Sequence, residues 1–101
     1  MEETDYIYGF YKETTPGISL LNNACDLHLH TGPAVFERLL THIEAAKAAE
    51  RVGMKALVFK DHHSETASKG KIIKDLTTDI ETFGSIVLNH AVGGLNPSAA
   101  T

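Results

Sequence analysis

Three stretches of strand length alternate along the chain with two stretches of helical spacing. The first, Ala24-Cys25-Asp26-Leu27-His28-Leu29-His30, alternates with period two and closes at Thr31-Gly32-Pro33. After a connection carrying Val35, Phe36, Leu39 and Leu40, Thr41-His42-Ile43-Glu44 matches a capping box. There the Thr41 hydroxyl would serve the fourth residue's N–H and Glu44 would reach back. The helix that follows runs on Ile43, Ala46, Ala49 or Glu50, and Val52, and stops at Gly53. Met54 to Phe59 is an unbroken apolar run, as expected of a strand covered on both faces of a parallel sheet. A second helix is expected over 65–76, capped by Ser64 or Thr66, with a weak stripe of Ile72, Ile73 and Leu76; Gly70 weakens its middle. Phe83 to Asn89 reads as a third buried strand, and Asn96-Pro97 as the start of one more helix.

Strand, helix, strand, helix, strand is the grammar of a parallel α/β fold. His30, His62 and His90 each fall at the C-terminal end of a predicted strand, separated by 32 and 28 residues. That is close to the roughly 30 residues of a strand plus its crossover. The expected fold is therefore a parallel βαβαβ segment, the first three strands of a TIM-like (β/α)8 barrel. A whole barrel takes about 250 residues, so the 101 residues read as a truncated one. Residues 24–101 form that partial barrel. Residues 1–23 are set apart as an N-terminal arm, with an apolar cluster of Tyr6, Ile7, Tyr8, Phe10 and Tyr11 and a turn at Thr15-Pro16-Gly17.

Composition narrows the function classes. Hydrophobic residues at 43% and charged residues at 22% describe an ordered chain rather than a low-complexity one. A net charge of −4 without any Lys/Arg cluster argues against nucleic acid and against an anionic membrane surface. The apolar run Ala56–Phe59 is far too short to span a bilayer, and the acidic N-terminus is not a signal peptide. A single cysteine fits a reducing cytoplasm. Against this ordinary background stand six histidines.

Period two places Asp26, His28 and His30 on one face of the first strand. Two imidazoles so spaced can hold one metal while a carboxylate orients them. Lys60 and His62 share a face at the end of the second strand, and a lysine there either snorkels to solvent or serves the site. Asp61 and His63, of the other parity, would fix the turn or orient the ligands, and His90, at the third strand end, is either a loop histidine or a further ligand. His42, on the first turn of its helix, is expected to be exposed. Cys25, of opposite parity to His28, is expected to be a small buried thiol facing the helices. Gly93-Gly94 is too short to cradle phosphate.

Asp26-Leu27-His28-Leu29-His30-Thr31, together with Lys60-Asp61-His62, resembles two groups of metal-dependent hydrolases. One is the amidohydrolase superfamily, whose first barrel strand ends in an HxH metal pair. The other is the polymerase and histidinol phosphatase family, whose second motif ends a strand in Asp-His. From Asp26 to Pro97, with GMKALVFKDHH and IVLNHAVGGLNP, the chain is most similar to an uncharacterised amidohydrolase-like family. The resemblance implies a metal pair on His28 and His30, a supporting role for His62, and a hydrolase in which metal-activated water attacks an amide, ester or phosphoester of a small molecule. Zinc is the expected ion, with Mn or Fe as alternatives. His28, His30, His62 and His90 are the metal candidates, and Lys60 and Asp61 the catalytic ones, Lys60 supplying charge or a bridge. Thr31-Gly32-Pro33-Ala34 lacks the further histidine of the phosphatase motif, and Asn89-His90 stands where that family places an acid. The alternative is a non-catalytic fragment, or a module completed by missing C-terminal strands, by another chain or by a second copy of itself.

Overall fold

The computed structural model describes residues 17–101. The turn at Thr15-Pro16-Gly17 and the tyrosine cluster of the N-terminal arm lie outside them but for Gly17. After a short 3-10 segment at Ile18–Leu21, the chain forms β1 (Cys25–Leu29), α1 (His42–Arg51), β2 (Ala56–Phe59), α2 (Ala67–Leu76) and β3 (Glu81–Phe83). A 3-10 turn at His90–Val92 and a last helical turn, α3 (Pro97–Ala100), follow. The strands lie in the order β1-β2-β3, all parallel, so the protein is α/β with βαβαβ connectivity. No helix among the described residues is long and apolar enough to cross a membrane.

Local sequence accounts for α1 at both ends. The Thr41 hydroxyl accepts from the Glu44 N–H at 3.1 Å, and the Thr41 N–H donates to Glu44 Oε1 at 2.9 Å, which completes the capping box. At the other end Gly53 takes φ 78°, and the N–H groups of Gly53 and Met54 reach back to the carbonyls of Glu50 and Ala49. That double return satisfies the last carbonyls of the helix and needs a residue free to adopt positive φ. In α3, Asn96 Oδ1 accepts from the Ala99 N–H at 3.2 Å and Pro97 opens the helix.

The core lies between the sheet and the two long helices: Ala46, Ala49, Leu57, Phe59, Ile73 and Ile80, with Leu29 and Met54 packed on its margin. Phe59 and Ile80 are fully buried. At roughly 25 cal/mol per Å2, burying each such side chain contributes about 1.5–3 kcal/mol. Gly70 belongs to this packing. A Cβ there would stand 2.8 Å from the Gly84 N and the Phe83 carbonyl carbon, so α2 rests directly on the chain leaving β3.

Three expectations are corrected. The third strand is Glu81–Phe83, not the run from Phe83 to Asn89. After Phe83 the backbone turns its hydrogen bonds to the start of α2: Ser85 O accepts from the Thr66 N–H, and the Ser85 N–H donates to the Thr66 hydroxyl at 2.8 Å. The hydroxyls of Thr66 and Ser85 both lie 2.7 Å from the Phe59 carbonyl, where a longer third strand would have paired. Thr66 thus sits at the head of α2 without capping it; Glu65 accepts from the Ala67 N–H instead.

The second correction concerns β1. Its register with β2 shifts between Asp26 and Leu29: Asp26 pairs with Leu57, and Leu29 with Phe59. Three steps on one strand against two on the other reverse the alternation, as a bulge does. Asp26 therefore lines the apolar groove with Leu29, Met54 and Leu57, on the helix side and not beside His28 and His30. Cys25, paired with Ala56, is exposed rather than buried against the helices.

The third is His42, which is buried rather than exposed. Its Nδ1 lies 2.6 Å from the Thr31 hydroxyl, its ring packs edge-on against Phe59, and its Nε2 is enclosed without a hydrogen-bond partner.

Candidate metal centre

The bulge decides what β1 presents. With Leu29 turned to the core, His28 and His30 leave the strand on the opposite face, which no helix of the described residues covers, and their Nε2 atoms come within 3.1 Å of each other. The Asp26 carboxylate contributes through the backbone, accepting the His28 N–H at 3.0 Å and holding the bulged strand end. Two nitrogens bound at about 2.0–2.1 Å to one tetrahedral zinc stand about 3.3 Å apart. The observed spacing is close to that bite, and a neutral N–H···N hydrogen bond has a similar length.

The two rings differ in surroundings. His28 is exposed, whereas His30 is half-buried with its Nδ1 enclosed and without a hydrogen-bond partner. Burial holds the His30 ring below its usual protonation range, and the charges of His62 and Arg38 push it further down. The Lys60 backbone opposes them, and His28 adds a smaller downward push. A ring kept neutral keeps a lone pair for a ligand.

His62 stacks on His30, centroids 4.6 Å apart and planes 14° from parallel. It is held from below: Asn89 donates from Nδ2 to the His62 carbonyl at 3.1 Å, tying the loop after β2 to the one before His90. His62, His63 and His90 then line one cleft of about 610 Å3, together with Phe36, Leu88 and Asn89. His90 is exposed and sits on a 3-10 turn rather than at a strand end. Among the described residues no three His, Cys, Asp or Glu side chains converge as a metal-holding group. The structure sets His30 against both His28 and His62 in pairwise contacts that stop short of such a group, and His90 lines the same cleft as His62.

Lys60 and Asp61 fall on either side of this arrangement. The Lys60 N–H donates to the Leu29 carbonyl at 2.8 Å, extending the β1–β2 pairing by one rung, and its side chain is half-buried. Asp61 is buried and committed elsewhere. Its Oδ1 accepts the His63 N–H at 2.8 Å, and its Oδ2 lies 3.7 Å from Lys69 Nζ. Burial would raise this carboxyl, but the His63 N–H, the Lys69 charge and the Ser64 hydroxyl outweigh it and hold the group below its usual range. What it does is fix the turn that aims His62 and His63.

Sequence reasoning gave no role to Phe36 or Arg38. The loop carrying them is pinned at its base, where the Gly32 N–H donates to the Leu40 carbonyl and the His42 N–H to the Gly32 carbonyl. Phe36 consequently meets His63 edge-on at 5.3 Å, and the Arg38 guanidinium stands 6.0 Å over the Phe36 ring. The aromatic and the cation two residues apart in a long connection were the available signal.

In parallel α/β sheets the carboxyl edge of the strands is where ligands ordinarily bind, and His30 and His62 lie at that edge here. Residues 23–101 match DUF6282, a family of unknown function, and the chain belongs to that family. Neither the curated proteins nor the solved structures contain a match to it.

Proposed function

We propose that this protein is a metal-dependent hydrolase of amidohydrolase type acting on a small molecule at the carboxyl edge of a barrel-like parallel sheet. One observation carries the reading: His28 and His30 present their Nε2 atoms 3.1 Å apart, close to the bite of a single divalent ion. His28 and His30 would hold the ion, preferably zinc and otherwise Mn or Fe. When bound, such an ion supplies Lewis acidity, acidifying water and polarising a carbonyl or phosphoryl oxygen. His62 fixes the plane of the His30 ring, and Asp61 fixes the turn bearing His62. Lys60 would supply positive charge at the strand end, and His90, in the wall of the same cleft as His62, would be a further ligand. An amide, an ester or a phosphoester each suits this chemistry. The single cysteine fits work in the reducing cytoplasm.

The test is elemental analysis of the purified chain before and after dialysis against Zn2+, alongside His28→Ala/His30→Ala. About one ion per chain, lost in the double variant, is expected. Wild-type protein that takes up no more metal than the variant would sink the proposal.

A second reading has its own observation. The sheet face that no described helix covers exposes Leu27 and Phe83, at 66% and 52%. Parallel sheets are ordinarily covered on both faces. A module completed by another chain or a second copy would cover them, and sedimentation analysis would then give a mass above 11.0 kDa.

A further inference from the structure

The first turn of α1 holds a histidine that core packing by itself does not call for. His42 is buried, its ring edge-on against Phe59 with centroids 5.3 Å apart, so it fills the core as any aromatic would. Only one of its nitrogens is used. Nδ1 lies 2.6 Å from the Thr31 hydroxyl, itself buried, while Nε2 is enclosed without a partner among the described residues. A buried polar atom left unpaired costs stability, and an apolar side chain of similar shape would not incur that cost. Stability alone would favour phenylalanine at this position. What the histidine reaches is the strand end that carries the proposed ligands, because Thr31 directly follows His30. Around that contact the Gly32 N–H donates to the Leu40 carbonyl at 2.9 Å and the His42 N–H to the Gly32 carbonyl at 2.7 Å, with Gly32 bridged to Thr41. The capping box of Thr41 and Glu44 fixes the same turn of helix independently. These backbone contacts hold the path of the chain after β1. The Thr31–His42 contact is the one made by side chains, and it pegs Thr31 to the core side while His30 turns to His28 on the other.

We propose that His42 is a positioning residue of the metal centre: by holding the Thr31 hydroxyl it sets the direction of the His30 ring, and with it the 3.1 Å spacing of the His28 and His30 Nε2 atoms. This rests on the reading of that pair as metal ligands. His42 never touches the ion and acts through Thr31 alone. A rotation of the backbone between His30 and Thr31 would swing the imidazole away from His28, and the peg in the core resists it. Groups that orient metal-binding side chains from behind typically matter about 10–100-fold in affinity.

The experiment is a Zn2+ titration of the full chain against a competing chelator, with urea unfolding of the metal-free proteins alongside. His42→Phe keeps the ring and removes the hydrogen bond. His42→Asn puts an amide near the position of Nδ1 and leaves a cavity beside Phe59. His42→Phe should be as stable as the wild type yet bind Zn2+ about tenfold or more weakly. His42→Asn should be the less stable of the two yet bind Zn2+ almost as the wild type does. A histidine that serves the fold alone would change stability and leave affinity equal in all three proteins. Equal affinity in His42→Phe and the wild type therefore overturns the proposal, and so does an equal loss in His42→Phe and His42→Asn. Should either variant fail to fold, Thr31→Ser and Thr31→Val decide. Serine keeps the hydroxyl and should keep the affinity, valine should lose it, and equal affinities overturn the proposal. A wild type that takes up no Zn2+ sinks the metal reading and this role with it. Uptake that is lost in His28→Ala/His30→Ala but kept in His42→Phe overturns the role of His42 alone.

Discussion

The two faces of the sheet are built from alternate residues of the same strands, yet they do opposite things. Toward the helices, Leu57 and Phe59 meet Ala46, Ala49, Ile73 and Ile80 in a dry core. On the other face stand Leu27, Phe83 and the His28–His30 pair, in contact with solvent. The helix face holds the fold and can spare little. The open face carries the chemistry and contributes little to stability, which leaves its residues free to be chosen for a ligand. The bulge in β1 marks the boundary, because it moves Asp26 to the structural side while leaving the histidines on the other.

The comparison is broken most directly by exchanging large for small on each face. Phe59→Ala should cost about 3–5 kcal/mol in urea unfolding, a large fraction of the roughly 5–15 kcal/mol by which such a domain is stable. His28→Ala/His30→Ala, measured in the same way without metal, should stay within about 0.5 kcal/mol per site. Comparable losses from the two would mean that the open face is part of the core after all.

A smaller effect sharpens the helix side. Ala is the better helix former than Gly by about 1 kcal/mol, so sequence alone predicts that Gly70→Ala stabilises α2. The contact with Gly84 and Phe83 predicts the reverse, since overpacking costs about 1–3 kcal/mol. A net loss of roughly 1 kcal/mol in urea unfolding is expected, and a gain would show that α2 does not rest on the chain after β3.

The smallest effect concerns His42, beneath the boundary. Burial holds it below its ordinary value of 6.5, with Lys69 pushing the same way and Asp61 opposing. A histidine kept neutral in the fold takes up its proton more readily when unfolded. Its share of stability is therefore intact above 6.5 and declines as pH falls from there through the lower folded value. His30 acts with the same sign. Asp61 and Glu50, both held low, lose their shares only below their ordinary values of 3.8 and 4.5. Melting temperature should consequently fall between pH 7 and 5, with a shallower slope in His42→Gln. An equal slope in the two proteins would remove His42 as a cause.

How far the sequence could be read follows from how local each cause is. The capping box of Thr41 and Glu44, the Gly53 stop, the Asn96-Pro97 helix start and the βαβαβ order were all legible, because each depends on residues a few positions apart. The pairing of His28 with His30 was legible too. Period two kept them together even though Asp26 left their face, the bulge falling between Asp26 and Leu29. The end of β3 was not legible, because what ends it is Thr66, nineteen residues away in sequence, whose hydroxyl competes for the backbone of Ser85. His42 was misread for a similar reason, since only the loop pinned at Gly32 brings Thr31 over it.

The sequence by itself thus determined the elements, their order and the edge of the sheet at which histidines collect, since hydrophobic period and end-capping act within a helical turn or a strand. The tertiary structure alone decided that Asp26 leaves the face of His28 and His30, where β3 stops, and that Phe36 packs against His63 with Arg38 over its ring. Those outcomes depend on strand register and on hydrogen bonds between distant segments, and a register shift of one residue is invisible to any local pattern.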